Sequence, residues 1–331
     1  MGFENIYNHK AIIKESANAR VNLIGEHTDY TGGYVMPTLL GFKNTIELSK
    51  NEEESFVVFS EHFNEKKIFN DFIKSQNNDW SDYIKGCLFI FFDEYKKIKL
   101  EHLNLYISST IPLERGISSS SALCVSTLKA LNSYFNTQIN EKHIAILAKK
   151  VEHDYIGVSG GIMDQMVSSI GIHGKAFFLD CLNLKYELVN FPSNWKFCLI
   201  DSEVQRNLRS SSYNDRFNEL KIAEKELDVE YLGGVEVSKF NSDKISNETV
   251  AKRARHVVTE NNRVLRAKEC LLKNDINEFG KLMIESHNSY SKDFEASTSD
   301  VDEIVERSIQ CGALGSRLTG GGFGGFTVSL I

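Results

Sequence analysis

The alternation of apolar and polar residues predicts both strands and helices. Short runs rich in apolar and β-branched residues predict strands at 20–24, 34–40, 56–60, 103–108, 175–181, 196–201 and 326–331. Two helices are predicted from apolar stripes at helical spacing, which are Cys124, Leu128, Leu131 and Phe135 in the first and Ile144, Leu147, Ala148, Val151 and Tyr155 in the second. After about residue 190 the pattern is mostly helical until the last strand. Because strands and helices do not alternate strictly, the pattern favours an α+β fold over a doubly wound parallel sheet.

The length of the chain bounds its domain organisation. A chain of 331 residues is long for one compact core and suits two packed lobes. We expect an N-terminal lobe at 1–188 and a C-terminal lobe at 189–331. Only three prolines punctuate the sequence, so the boundary between the lobes is predicted coarsely.

Composition and charge exclude several classes of protein. The longest apolar run, at 87–92, is far too short to cross a bilayer, so we expect no membrane partner. A formal net charge of -7 argues against nucleic acid as the main partner, because neutralising phosphates requires a positive surface. The N-terminus lacks the features of a signal peptide, which predicts a cytoplasmic protein. Six cysteines without a Cys-x-x-Cys pair suggest buried thiols rather than disulfides or zinc, at Cys87, Cys124, Cys181, Cys198, Cys270 and Cys311.

The stretch ARVNLIGEHTDYTGGYVMP, at 19–37, concentrates hydrogen-bonding side chains on one predicted turn. Glu26, His27 and Asp29 lie within four residues of one another. Gly32 and Gly33 permit the positive φ angles of a tight reversal between the two flanking strands. Such a density of polar groups suits a ligand with several hydroxyls, because each hydroxyl requires a partner. A solvated turn would carry the same residues, so the pattern alone leaves both interpretations open.

Two further stretches suggest the binding of a ligand by the backbone. IPLERGISSSSALCV, at 111–125, predicts a loop leading into a helix N-terminus, where unpaired N–H groups bind phosphate and serine hydroxyls add donors. Serine is also a preferred N-cap, so capping alone is an alternative explanation. SRLTGGGFGGFTVSLI has five glycines between Gly320 and Gly325, which let the backbone approach a ligand closely, although a flexible hairpin would look similar.

Together these stretches resemble the galactokinases, a family of the GHMP superfamily of small-molecule kinases, over essentially the whole chain. RVNLIGEHTDYTGGYVMP resembles the family's sugar-binding signature, GISSSSAL its phosphate loop, and VEHDYIGVSGGIMDQ its metal and catalytic segment. KRARHVVTEN resembles a helix of its second lobe, and LTGGGFGGFTVSL its third motif. Five matches in this order rarely arise by chance. The resemblance implies a two-lobed α+β fold, with a ribosomal-protein-S5-like N-terminal lobe and a ferredoxin-like C-terminal lobe.

The resemblance also implies an activity and its binding residues. The implied reaction is the ATP-dependent phosphorylation of D-galactose at the anomeric hydroxyl, which gives α-D-galactose 1-phosphate and ADP. The implied sugar ligands are Glu26, His27, Thr28 and Asp29 from the signature and Tyr213 from the second lobe. The implied nucleotide-binding residues form one loop, which consists of Glu114, Arg115, Gly116, Ile117, Ser118, Ser119 and Ser120.

Catalytic and metal-binding residues follow from the same resemblance. Asp164 would accept the proton of the anomeric hydroxyl, and Arg20 would lie beside it and stabilise the transferring group. Mg²⁺ takes only one or two protein ligands besides phosphate, and the resemblance supplies Ser120 and Glu152. Independently, Glu152 lies beside the apolar stripe of its predicted helix, where a cation would relieve a buried carboxylate. The alternative is an ordinary surface glutamate.

The chain also departs from the family pattern. Asn18 and Ala19 stand where the family has Pro-Gly, and Glu114 and Arg115 stand where it has small residues. A glutamate in a phosphate loop repels a nucleotide unless it pairs with Arg115 or points outward.

Two alternatives to a galactokinase remain at this point. One is a kinase for another sugar, such as N-acetylgalactosamine or L-arabinose, and the other is a catalytically silent sensor of galactose and ATP. The dipeptide Ser121-Ala122 and the intact catalytic and metal candidates favour the enzyme. We expect it to be a monomer.

Overall fold

The computed structural model describes residues 2–73, 79–112, 115–204 and 209–331, with the backbone alone at 209–212. The chain divides into two compact units built from interleaved segments. Unit 1 comprises Met1–Ala19, Leu40–Pro112 and Ser118–Ile170, and unit 2 comprises Arg20–Leu39, Leu113–Ile117 and Gly171–Ile331. The expected lobe boundary near residue 188 stays a prediction.

Strands and helices are mixed along the described residues. The strands are β1 (Ile13–Asn22), β2 (Tyr34–Val35), β3 (Pro37–Lys50), β4 (Phe56–Ser60), β5 (Glu65–Phe69), β6 (Leu103–Ser109), β7 (Lys175–Asp180), β8 (Lys185–Asn190), β9 (Phe197–Asp201), β10 (Gly315–Leu318) and β11 (Phe326–Leu330). The helices are α1 (Phe3–Tyr7), α2 (Ser81–Glu94), α3 (Ser119–Phe135), α4 (Glu141–Lys150), α5 (Met163–Ile170), α6 (Arg209–Leu227), α7 (Glu248–Lys273), α8 (Ile276–Lys292) and α9 (Ser299–Gln310). A π-helical turn, Val151–Ile156, continues α4.

Unit 1 packs helices against strands. β3 pairs with β1 and, antiparallel, with β6. β4 lies parallel to β6 and antiparallel to β5. The core lies between these strands and helices α2, α3 and α4, and its fully buried members include Leu48, Phe56, Phe91, Leu105 and Leu128. The predicted apolar stripes of α3 and α4 are therefore confirmed as core faces.

Within its described residues, unit 2 combines two groups of antiparallel strands with four α-helices. β7 pairs with β2 and β8, and β11 lies between β10 and β9. The side chain of Asn247 caps α7 and the side chain of Thr298 caps α9, each by accepting backbone N–H groups. Helix α8 lies so close to β10 that a Cβ added at Gly280 would be 2.3 Å from the carbonyl oxygen of Leu314. Glycine is therefore required at this contact.

The predicted elements are largely found, with informative exceptions. The first predicted strand, 20–24, overlaps only the end of a longer strand, which starts at Ile13 and ends at Asn22. Helix α2 was not predicted, because nine of its residues are buried and its apolar run has no clear helical period. Strand β5, with sequence EKKIF, was not predicted either, because it carries three charged residues.

The cysteines are free thiols, as expected, but they are not all buried. Cys87, Cys124, Cys181 and Cys270 are buried. Cys198 in β9 and Cys311 after α9 are exposed, so the prediction of buried thiols is wrong for these two. None of the helices in the described part of the chain combines the length and apolarity that a bilayer crossing requires.

Candidate active site

The signature turn between β1 and β3 is a tight reversal within unit 2. The N–H of Leu23 donates to the carbonyl oxygen of Met36, so the two arms lie side by side as predicted. Gly32 has a φ of +72°, whereas Gly33 does not adopt a positive φ, which corrects the expectation for Gly33. Gly33 is required by space instead, since an added Cβ would lie 2.7 Å from Oδ1 of Asn261.

Glu26 presents a buried carboxylate in this turn. Its Oε1 accepts hydrogen bonds from the backbone N of Gly320 at 2.9 Å and from Nη1 of Arg317 at 3.1 Å. The hydroxyl of Thr319 shares its hydrogen between Oε1, at 3.2 Å, and the carbonyl oxygen of Asn22, at 2.9 Å. The third motif therefore holds the carboxylate of the signature.

Arg317 links Glu26 to a buried ionic cluster, whose charged members are Arg317, Glu260 and Arg263. Nε of Arg317 donates to Oγ of Ser286 at 3.1 Å, and Ser286 donates to Oε1 of Glu260 at 2.6 Å. Glu260 also accepts from the backbone N of Gly25 at 2.8 Å and from Nε of Arg263 at 2.7 Å. Burial by itself would raise the pKa of Glu260, but the positive charges around it, of which Arg263 is the strongest, lower the pKa to about 2. Glu260 is thus ionised at neutral pH, next to the signature.

His27 is a neutral ring whose two nitrogens are both engaged. Burial and nearby positive charges hold the pKa of His27 well below its usual range. The hydroxyl of Tyr290 donates to the carbonyl oxygen of Gly320 at 2.8 Å, so Nε2–H of His27 must donate to the Tyr290 oxygen at 3.0 Å. Nδ1 of His27 then accepts from the hydroxyl of Tyr30 at 2.7 Å. A sugar contact by His27 would therefore come from its backbone.

The other predicted sugar ligands lie in the same unit. Thr28 is fully buried, and its hydroxyl contacts the carbonyl oxygen of Tyr34 at 2.6 Å, inside the turn. Asp29 is partly exposed. Tyr213, on α6, lies with its ring centroid 5.3 Å from that of His27 and 5.9 Å from that of Tyr30. The structure therefore brings the predicted residue of α6 to the signature turn.

Arg20 is anchored to the predicted nucleotide-binding loop. Its Nη1 donates to the carbonyl oxygen of Gly116 at 2.8 Å, and its backbone N donates to the carbonyl oxygen of Ile117 at 3.3 Å. The side chain is buried, so it is a fixed positive charge.

The two unusual residues of this loop are only partly described. Glu114 lies outside the described residues. Nε of Arg115 pairs with the Asp201 carboxylate at 3.0 Å. This partner was not expected, because Asp201 is distant in the sequence.

The serine run begins helix α3 as predicted. Ser118 precedes the helix with a φ of +65°, and its side chain makes no capping hydrogen bond. Instead, Oγ of Ser118 donates to Oδ2 of Asp164 at 2.5 Å. Asp164 lies in the first turn of α5, where the helix dipole stabilises a carboxylate. Capping alone therefore does not explain Ser118.

Glu152 lies in the π-helical turn after α4, a conformation that is frequent at functional sites. Its Oε1 accepts from Ser120 at 2.6 Å, and its Oε2 accepts from Ser121 at 2.8 Å and from Nε2 of Gln165. Burial is the main cause that raises the pKa of Glu152, and the charge of Asp164 adds to the effect. Glu152 is thus half-buried and held by three side chains, unlike an ordinary surface glutamate.

The surroundings of Glu152 fit a divalent cation. The side chains that donate to it in the described part of the chain are all neutral, so a cation would compensate its charge. Hydroxyl and carboxylate oxygens are the ligands that Mg²⁺ prefers. Groups of three or more histidine, cysteine, aspartate or glutamate side chains placed to hold a metal are absent from the described residues. Any such cation would therefore depend on further oxygens, such as those of phosphate.

Sequence reasoning missed Arg317, Glu260 and Tyr290. Arg317 lies just before the glycines of the third motif, and Glu260 lies in the stretch KRARHVVTEN. Both lie in or directly before stretches that resemble family motifs, which is a signal that could have identified them.

Comparison with known proteins identifies the family. Residues 82–171 match the family described as GHMP kinases N terminal domain, and residues 267–331 match GHMP kinases C terminal. Residues 1–50 match the galactokinase galactose-binding signature. The galactokinase of Fusobacterium nucleatum is 37% identical to the chain, over 99% of this chain and 88% of that protein. The chain belongs to the galactokinase family.

Other galactokinases give the same result. The galactokinase of Thermococcus kodakarensis is 34% identical, over 94% of this chain and 87% of that protein. The crystal structure of Lactococcus lactis galactokinase complexed with galactose matches with a TM-score of 0.93 and 33% identity, over 99% of this chain and 88% of that chain. A mevalonate kinase structure, with a TM-score of 0.71 and 21% identity, shares the fold alone. The predicted α+β fold of the GHMP kinases is confirmed.

Proposed function

We propose that this galactokinase transfers the γ-phosphoryl group of ATP to the anomeric hydroxyl of D-galactose, giving α-D-galactose 1-phosphate and ADP. The observation that supports this reaction best is the contact between Ser118 and Asp164 at 2.5 Å. It joins the loop at the N-terminus of α3 to a carboxylate held in the first turn of α5. Phosphoryl transfer requires both features, a cradle for phosphate and an acceptor for the hydroxyl proton.

The signature turn supplies the sugar site in this proposal. Glu26, Asp29 and Tyr213 offer side-chain groups to the hydroxyls, while His27 and Thr28 contribute their backbone and shape the turn. Buried charged acceptors discriminate between sugars, because a hydroxyl in the wrong configuration leaves the acceptor unpaired. We expect this discrimination to exclude D-glucose, which differs from D-galactose only at C4.

Catalysis is assigned to two residues, Asp164 and Arg20. Asp164 would accept the proton of the anomeric hydroxyl as the oxygen attacks the γ-phosphorus, and the bond from phosphorus to the ADP oxygen breaks. Arg20 would stabilise the negative charge of the transferring group, for which a guanidinium suits because it stays protonated. The loop from Glu114 to Ser120 would bind the phosphates through backbone N–H groups.

Mg²⁺ would be held by Ser120 and Glu152 together with the phosphates. When bound, the cation neutralises charge on the phosphates of ATP. The three neutral donors around Glu152 keep its carboxylate oriented. We also propose a cytoplasmic monomer, in keeping with the two exposed free thiols of Cys198 and Cys311. Its oligomeric state is checked by light scattering after size exclusion.

The reaction is tested by ADP release with a blocked substrate as the control. The enzyme should release ADP from ATP when galactose is present. It should not do so with methyl α-D-galactoside, because the anomeric oxygen of this sugar carries a methyl group. Release of ADP with the methyl galactoside would contradict phosphorylation at the anomeric position. Binding of galactose and ATP without any release of ADP would instead favour the silent sensor.

A further inference from the structure

Arg317 is a buried cation that none of the roles proposed above uses. It lies on β10 and is fully shielded from solvent. Nη1 donates to Oε1 of Glu26 at 3.1 Å and to the carbonyl oxygen of Asn22 at 3.2 Å. Nε donates to Oγ of Ser286 at 3.1 Å. The guanidinium therefore bridges the signature and helix α8.

The contacts of Glu26 are unevenly divided between its two oxygens. Within the described part of the chain, each hydrogen bond that the carboxylate accepts goes to Oε1. Oε2 is left for a hydroxyl of a ligand. A donor that holds Oε1 thus sets the direction in which Oε2 points.

The arrangement around Arg317 is not the one that stability alone would favour. Nη2 of Arg317 and both polar side-chain atoms of Asn22 are buried without a partner among the described residues. Unpaired buried polar groups are costly, and buried ion pairs can often be replaced by apolar residues without loss of stability. A role in positioning explains why such a group is retained.

Glu260 holds the side chain of Arg317 in place through Ser286. Ser286 connects the two side chains, and Oε1 of Glu260 also accepts the backbone N of Gly25, the residue before Glu26. The same anion therefore holds both the arginine and the backbone that carries the carboxylate.

We propose that Arg317 is a positioning residue that orients the carboxylate of Glu26 toward one hydroxyl of galactose. This inference rests on the proposed function of the signature turn. Arg317 acts through Glu26 and does not touch the sugar. Its removal should therefore weaken the recognition of one hydroxyl and leave the others largely unchanged.

The test uses galactose and its 2-, 3-, 4- and 6-deoxy analogues, with binding measured by calorimetry. The ratio of each dissociation constant to that of galactose gives a penalty for each hydroxyl. Glu26→Gln identifies the hydroxyl that Glu26 recognises, because the penalty for that hydroxyl falls. Arg317→Lys and Arg317→Met should lower the same penalty by about tenfold and the other penalties by less than about threefold.

Several outcomes decide the proposal. Arg253→Met is the matched control, because Arg253 is also a buried arginine of unit 2, and its hydrogen bonds go to Glu219, Asp293 and Glu295 rather than to the signature. It should lower the melting temperature and leave every penalty unchanged.

Arg317 variants that weaken the binding of all five sugars equally, or that keep the wild-type penalties, would overturn the proposal. Should Arg317→Met not fold, Arg317→Lys and Ser286→Ala decide it in the same way.

The design also separates this proposal from the proposed function. If Glu26→Gln alters a penalty and the Arg317 variants do not, only the role of Arg317 falls. If the wild type does not bind galactose, or if Glu26→Gln alters no penalty, the proposed sugar site is wrong, and the proposed role of Arg317 is wrong with it.

Discussion

Replacing Glu260 by glutamine tests the buried ionic cluster behind the signature. Glu260 is fully buried and accepts hydrogen bonds from Arg263, Ser286 and the backbone of Gly25. Glu260→Gln preserves the shape of the side chain and removes its charge. Arg263 and Arg317 then lose their shared counter-ion, which destabilises a buried cluster strongly.

The magnitude follows from the pKa of Glu260. This pKa is about 2 in the folded protein, against about 4.3 in an unfolded chain, so the ionised form contributes about 3 kcal/mol to the free energy of unfolding at neutral pH. Because the folded pKa is the lower one, the contribution is fully present above about pH 4.3 and is lost as the pH falls through about 2. At pH 3 roughly half of it remains.

The assay is urea unfolding followed by the fluorescence of Trp195. This tryptophan is buried in unit 2, donates to Oδ1 of Asn274 at 2.8 Å and packs against Phe279. The wild-type and Glu260→Gln proteins both carry Trp80→Phe, so that the fluorescence comes from Trp195 alone. Glu260→Gln should lower the free energy of unfolding by about 3 kcal/mol at pH 7 and by about half as much at pH 3. An equal difference at the two pH values, or none at pH 7, would refute the reasoning.

Three further predictions concern catalysis, metal binding and packing. Asp164→Asn should abolish turnover while the dissociation constant for galactose stays within about tenfold, because the base is lost and the sugar site is kept; a kcat above a tenth of the wild-type value would remove Asp164 from the role of base. Glu152→Gln should raise the magnesium concentration that gives half-maximal activity. Its melting temperature should be nearly unchanged, because Oε1 of Gln165 lacks a partner in the described residues and can accept a hydrogen bond from the new amide. Magnesium titrations that superimpose on those of the wild type would exclude Glu152 as a ligand. Gly280→Ala should lower the free energy of unfolding by about 1–3 kcal/mol, because its Cβ would lie 2.3 Å from the carbonyl oxygen of Leu314; an unchanged denaturation midpoint would count against this contact.

Local signals explain what could be predicted from the sequence. The run of serines before an apolar stripe predicts the start of α3, which begins at Ser119. Gly32 in the signature predicts the tight reversal between the two arms, and it adopts the positive φ expected there. Each of these features depends on residues within one or two turns of each other. The family resemblance then supplied roles that spacing alone left open.

Contacts between distant residues explain what could not be predicted. Arg317 and Glu26 are 291 positions apart, so no local pattern indicates their pairing. The tautomer of His27 depends on Tyr30 and on Tyr290, which lies on helix α8. The π-helical turn at Glu152 could not be predicted either, because its apolar residues continue the stripe of the preceding α-helix.

The most direct test of the account is the comparison of kcat/KM for D-galactose, D-glucose, N-acetylgalactosamine and L-arabinose under one set of conditions. Misplacing the C4 hydroxyl should leave a charged acceptor unpaired and cost about 3–5 kcal/mol in the transition state. Galactose should therefore exceed glucose by a factor on the order of hundreds to thousands, and should also exceed the other two sugars. A higher kcat/KM for any other sugar of the panel would contradict the assignment of this chain as a kinase for galactose.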